Sequence, residues 1–416
     1  MMSERNCQKS GTCSRKSSLG GCATRLHVDI RTRFQYSVVL GLICAAACPL
    51  LSQSSGVSLI GLAPPYSTFF DDGRQRFLKF EDAASGLGPS YNATSCGGCH
   101  NQPSIGGVGN VAVIRAGVVH NGRYEAPQGG DLVHLFSIGD YSCQPQIPAD
   151  ANNLSHRIPT PLYGAGLIEA IPDSVIRTWE DPTDRNGDGI RGHAALVMDP
   201  ATHTMRVGRF GWKAQQATLL AFAGEAFRNE MGITNDLFPK EAATGLSAEQ
   251  LAACDKVPDP EDRADPKTHL RGIDDVTNFM RFLAPVEPLP LTEDRRRGMV
   301  LFSHIGCASC HVPELLTGPS EFPALDHKSV NAYSDFLLHD IGTGDGVEQG
   351  AAQGNEFRTS PLWGLRFRKR LMHDGSALSP SDAIKQHRNE SERSRQSFDH
   401  LDTPDRQALL EFLGSL

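Results

Sequence analysis

The sequence predicts a mainly α fold of two similar helical domains, the first opened by a large insertion of strand and loop. Three observations carry this expectation. The pattern Cys-x-x-Cys-His occurs twice, at residues 96–100 and 307–311, each time after a stretch with helical spacing such as "DGRQRFLKFE" or "LTEDRRRGMVLFSH". Residues 110–210 read instead as short strand-like pieces and turns, with apolar residues alternating after a Gly-rich run. Helical periodicity then returns in "QQATLLAFAGEAFRNEMG", "GIDDVTNFMRFLAPV" and the terminal "TPDRQALLEFLGSL", whose Thr403-Pro404 start suits a capped helix. The expected organisation is a leader over 1–55, a first domain with its insertion over 65–285, and a compact second domain over 290–416. "KVPDPEDRADPKTHLRG" is a Pro-rich, charged connector within the first of these.

A chain of 416 residues has ample material for a large core. Its balance is mildly acidic, 40 Lys+Arg against 48 Asp+Glu, and no basic stripe stands out, so nucleic acid is not an expected partner. The N-terminal stretch differs: Arg5, Lys9, Arg15, Lys16, Arg25, Arg31 and Arg33 precede the apolar run in "YSVVLGLICAAACPLLSQSSG". That run is short for a spanning helix and suits an export signal, which predicts a periplasmic or otherwise exported protein. Cys44 or Cys48 would serve if the N-terminus is instead a membrane anchor. Five of the 11 cysteines fall in this leader and four in the two motifs. Cys143 and Cys254 remain, an even pair that an oxidising compartment would allow to bridge.

With 11 Cys and 15 His, chance gives on the order of 0.01 Cys-x-x-Cys-His matches, so two are not coincidence. Thiols one helical turn apart can add to the two vinyl groups of a haem, and the following His then lies under the iron. Cys96, Cys99 and His100 are expected to hold one haem c, and Cys307, Cys310 and His311 a second. A zinc ribbon would want its Cys pairs much closer in sequence and needs no trailing His. A thioredoxin-type redox pair would need one motif. Each iron keeps a sixth position, which separates an electron wire from a catalyst: a second strong ligand closes it, whereas an open one binds a small oxidant.

The segments "GLGPSYNATSCGGCHNQPSIGG", "TPLYGAGLIEAIPD", "GRFGWKAQQATLL", "NEMGITN", "FRTSPLWGL" and "LMHDGSA" resemble bacterial di-haem oxidoreductases described as peroxidases or thiol oxidoreductases. These are related to the di-haem cytochrome c peroxidases and to MauG, and the resemblance covers roughly residues 69–416. It implies two cytochrome c-like domains, with peroxide chemistry at the N-terminal haem and electrons arriving through the C-terminal one. It places Trp212 and Glu230 beside the reactive haem, the Glu as a proton carrier. The Gln that such peroxidases keep between these two has no counterpart, since Ala221 and Phe222 occupy that stretch. At the second haem it implies His387 as sixth ligand, fourteen residues after His373, where the peroxidases carry Met; Met372 is the rival. For the first haem His120 is the nearest candidate ligand, with His134, Met231 or an open position as alternatives. Trp363 or Trp212 is expected between the haems. "DRNGDG" at 184–189 opens like a calcium loop but has Ala195 where the bidentate carboxylate belongs, so calcium is a lesser expectation. The implied partners are an electron-donor protein (a small cytochrome or cupredoxin) and a small-molecule oxidant or substrate. The alternative function is a non-catalytic di-haem electron carrier.

Overall fold

Phe70, Gly73 and Phe77 recur at spacings of three and four, and they form the buried stripe of helix α1, Tyr66–Leu78. The computed structural model describes residues 55–139 and 143–416, which lie in one compact unit. The expected leader lies outside the described residues except at its last position. Among the described residues no helix is long and apolar enough to cross a membrane.

The remaining main helices are α2 (Leu219–Met231), α3 (Gly272–Phe282), α4 (Glu293–His304), α5 (Pro380–Gln386), α6 (Glu392–His400) and α7 (Thr403–Leu413). Their ends follow local chemistry. The Thr218 hydroxyl accepts from Ala221 N to start α2, and Gly232, at φ 64°, ends it. The buried Asp262 carboxylate accepts from the first two amides of α3, Gly272 N at 2.8 Å and Ile273 N at 3.0 Å. The cap of α7 is Asp402, one residue before the expected Thr403, and Pro404 sits in the first turn.

Two helix pairs frame the two motifs. Helix α1 packs on α3, and α4 packs on α7; each leading helix runs towards its Cys-x-x-Cys-His. Both contacts are backbone-close. A Cβ on Gly73 would sit 2.2 Å from Asp275 O, and one on Gly298 2.0 Å from Ala408 O, so only glycine permits either approach. The larger core gathers Phe70, Phe77, Phe227, Phe279 and Phe282, and it continues into Val312, Leu325, Phe336 and Trp363. A smaller core lies around Phe302, Leu365, Phe398, Leu409 and Phe412. Packing therefore crosses residues 285–290, where the sequence placed its domain boundary.

The strands expected over 110–210 are present. Strand β1 (Val113–His120) pairs antiparallel with β2 (Arg123–Glu125), β3 (Leu132–Val133) and β4 (Asn153–Arg157). Asn121 and Gly122, at φ 51° and 78°, make the tight β1–β2 turn that an Asn-Gly dipeptide favours. A disulfide joins Cys143 to Cys254 and ties this region to the helix Ala248–Cys254.

Candidate functional site

Ser95 begins the single turn Cys96–Cys99, its hydroxyl accepting from Gly98 N at 3.1 Å, and this turn presents both thiols and His100 to a cavity. The cavity encloses about 1130 Å3 free of protein atoms, part of it open to solvent. At the second motif, Gly306 (φ 92°) lets the chain leave α4 and enter the turn Cys307–Ser309. Cys307, Cys310 and His311 line another cavity of about 1510 Å3. The four motif thiols are unbridged. Burial pushes Cys96 and Cys307 up to about 12 and Cys99 to about 11. Thiols so placed are poor thiolate nucleophiles, unlike the lowered thiols of redox Cys-x-x-Cys pairs.

The motif histidines are oriented alike. His100 Nδ1 donates to Gly107 O at 3.0 Å and His311 Nδ1 to Tyr333 O at 2.9 Å, which leaves Nε2 as the metal-binding nitrogen. His387, at the end of α5, makes the same bond to Ala383 O at 2.8 Å and lines the cavity of His311. Burial lowers His311 to about 4, the nearby His387 imidazole adding to the effect. Met372 lines this cavity as well. Two thiols, a tautomer-fixed imidazole and an apolar chamber fit an iron porphyrin in both places.

The two cavities differ in what faces their motif. Among the described residues lining the first, His100 is the sole histidine. His120 lies exposed beside the Asn-Gly turn, paired with Arg123, and does not line the cavity. The hairpin geometry, which the sequence reading overlooked, carries it away. His134 is 1% exposed and uses both nitrogens, towards Ser90 Oγ at 3.0 Å and Asn229 O at 2.7 Å. Met231 does line the cavity, as a buried core residue.

Glu230, near the end of α2, also lines the first cavity. Burial raises its pKa, opposed by a 2.8 Å hydrogen bond from Asn92 Nδ2 and by the Arg115 charge. Arg115 comes from β1 and Glu225 from α2, and sequence reading missed both; a sheet crossing to a helix left no spacing to reveal them. Arg115 is ion-paired with Asp131.

Trp212 lines both cavities, together with Ile158 and Pro159, which follow β4. Its Nε1 donates to Ile158 O at 2.8 Å, and its ring meets Phe357 and His373 edge-on. Trp363, the other candidate, is buried in the larger core and lines neither cavity. A further unforeseen group is His339, buried on the second cavity's wall between Asp335 (2.9 Å) and Glu390 (2.8 Å). Burial opposes its charge, but the Asp335 carboxylate, followed by the adjacent Cys310 sulfur, holds it well above the usual histidine range. Asp184, Asn186 and Asp188 form an exposed turn closed by its own hydrogen bonds and line neither cavity.

Residues 141–416 match the family described as "di-haem oxidoreductase, putative peroxidase". The chain belongs to that family: it is a di-haem protein with an oxidoreductase, peroxidase-like role. No curated protein matches it. Among solved structures it is similar to hydrazine synthase of Kuenenia stuttgartiensis, at 17% identity and a TM-score of 0.40, covering 85% of this chain and 89% of that one. It is also similar to the di-haem peroxidase BthA of Burkholderia thailandensis E264, at 16% identity, a TM-score of 0.40, and 88% and 89% coverage. A MauG-like protein associated with microbial copper homeostasis matches at 15% identity and a TM-score of 0.31, covering 65% of this chain and 92% of that one.

Proposed function

We propose that the protein is an exported c-type di-haem oxidoreductase that reduces a peroxide-class oxidant at the haem held by Cys96, Cys99 and His100. The carrying observation is the asymmetry of the two cavities: His387 faces the second motif's chamber, whereas the first has one histidine and a buried carboxyl. The haems, attached through the four motif thiols, supply electrons and an iron site for O–O cleavage. Reduction of hydrogen peroxide takes two electrons and two protons, breaks the O–O bond and releases two waters. Glu230, whose pKa burial raises, would serve as the proton carrier to the departing oxygen. Arg115 adds positive charge where the oxidant would sit. His311 and His387 would both hold the iron of a haem in the second cavity, and a haem so held would serve as an electron relay. Trp212 fills the wall between the chambers, which supports it as the bridge for electrons entering at the second site from a small donor protein. Export is supported by the basic-apolar N-terminal pattern and by the Cys143–Cys254 bridge, which an oxidising compartment maintains.

The test is peroxide-dependent oxidation of a reduced donor by the haem-loaded chain. Glu230→Gln should lower kcat by about 100-fold or more with two haems still attached. Full turnover in that variant would remove the acid–base role. No peroxide turnover in the parent chain would favour a pure electron carrier.

A further inference from the structure

Among the described residues several enclosed arginines have carboxylate partners, whereas two on one cavity wall do not. Arg157 meets Asp345 at 2.7 Å, Arg209 is paired with Asp173, and Arg115 with Asp131. Arg358 and Arg368, both lining the second cavity, form no ion pair among the described residues. Arg358 is 6% exposed and spends Nε on Gly211 O and Nη1 on Thr359 O, each at 2.9 Å, leaving Nη2 without a hydrogen bond. Arg368 reaches Ser360 Oγ, Pro361 O and Trp363 O, while its enclosed Nε has no partner. Burial, joined at Arg358 by the Arg368 charge, lowers both guanidinium groups to about 10. Asp335, the one acid that acts on Arg358, is engaged by His339 and by Leu337 N. Two neighbouring charges of one sign that line a chamber without an ion-paired acid are costly unless an anion completes them.

We infer that Arg358 and Arg368 form a carboxylate-binding pair in the second cavity and hold the propionate groups of the haem seated there. The inference rests on the reading that this chamber carries a haem. A guanidinium suits a carboxylate in charge, and two of them on one wall match in number the two acid arms of one porphyrin. The pair would fix which way the ring faces before the thiols attach. It would also keep both propionates ionised beside the relay.

The test follows the midpoint potential of each haem against pH in the haem-loaded full chain, with haems per chain counted by intact mass. A haem potential falls as its propionates ionise, so held propionates confine that fall to low pH. Arg368→Gln should move the second haem's fall upward by about 1 pH unit or more and leave the first haem's profile in place. Arg368→Lys, which keeps the charge but not the fork, should recover most of the parent profile. A superimposable profile, or an offset constant at every pH, overturns the proposal. A profile that moves only when acetate is added assigns the pair to a soluble anion and overturns the haem assignment. If the Gln variant does not mature, the unmodified chain still decides, through infrared bands of haem labelled with carbon-13 at the propionate carboxyls. The second haem's propionates should then stay ionised into mildly acidic pH, and a protonated band with an ordinary carboxylate midpoint refutes the pair. A parent chain carrying one haem sinks the reading of the chamber itself, a result distinct from the others.

Discussion

Burial raises the carboxyls of two glutamates in different settings. Glu230 keeps a hydrogen-bond donor, Asn92, and faces a chamber in which a proton is useful. Glu241 has both carboxyl oxygens enclosed without a partner, and Asp255, Asp259 and Glu261 converge on it, away from either chamber. Burial first, then those acids, push Glu241 up to about 9. A carboxyl raised in the folded state binds protons that the unfolded chain has released, so stability falls as pH rises from the ordinary carboxyl range towards 9. Glu241→Gln should therefore raise Tm at mildly alkaline pH, by about 1–3 kcal/mol in stability, with the gain fading in acid. Melting curves across pH, run with a chelator present, check this; a variant no more stable than its parent contradicts it. Residues such as Glu241 were illegible in sequence because their energetics come from neighbours brought by folding. That Cys96, Cys99 and His100 share one cavity wall, and Cys307, Cys310 and His311 another, was legible for the converse reason, since each trio lies within one short turn.

At the scale of elements, α1 against α3 and α4 against α7 are two solutions to one problem: holding a Cys-x-x-Cys-His turn rigid at the end of a helix. Gly73 and Gly298 set how near each pair can come. Gly73→Ala or Gly298→Ala must push a helix off a facing backbone carbonyl, which should cost about 1–3 kcal/mol. Denaturant unfolding of each haem-loaded variant measures it, and no loss of stability would refute the close-approach account. The sequence made these helices readable through their apolar spacing and capping residues. Helix α2 and the strand-rich insertion were legible in the same way. The fate of His120 was not read, although "HNGR" carried the signal: Asn121-Gly122 demands a tight hairpin, and that turns the histidine outward. Nor could spacing show that β1 delivers Arg115, or that the segment after β4 walls off one chamber from the other. Those placements depend on pairing between distant strands.

For the whole molecule, the larger core runs through both motif regions, so the two chambers are held in one packed body with Trp212 on the wall they share. The Cys143–Cys254 bridge closes a loop across 111 residues of sequence. Replacing both cysteines by Ala should lower stability by about 2–4 kcal/mol, read from denaturation of the oxidised parent and the variant side by side. An unchanged midpoint would mean that packing alone holds the insertion. The central claim of the proposal is that His387 would complete the haem held by His311, whereas no second histidine lines the chamber of His100. Absorption and electron paramagnetic resonance spectra of the haem-loaded chain at defined redox states test it most directly. The account predicts one low-spin haem with two imidazole ligands, lost in His387→Gly, and a second haem that binds carbon monoxide when reduced and responds to peroxide. Two low-spin haems that neither carbon monoxide nor peroxide perturbs would contradict it.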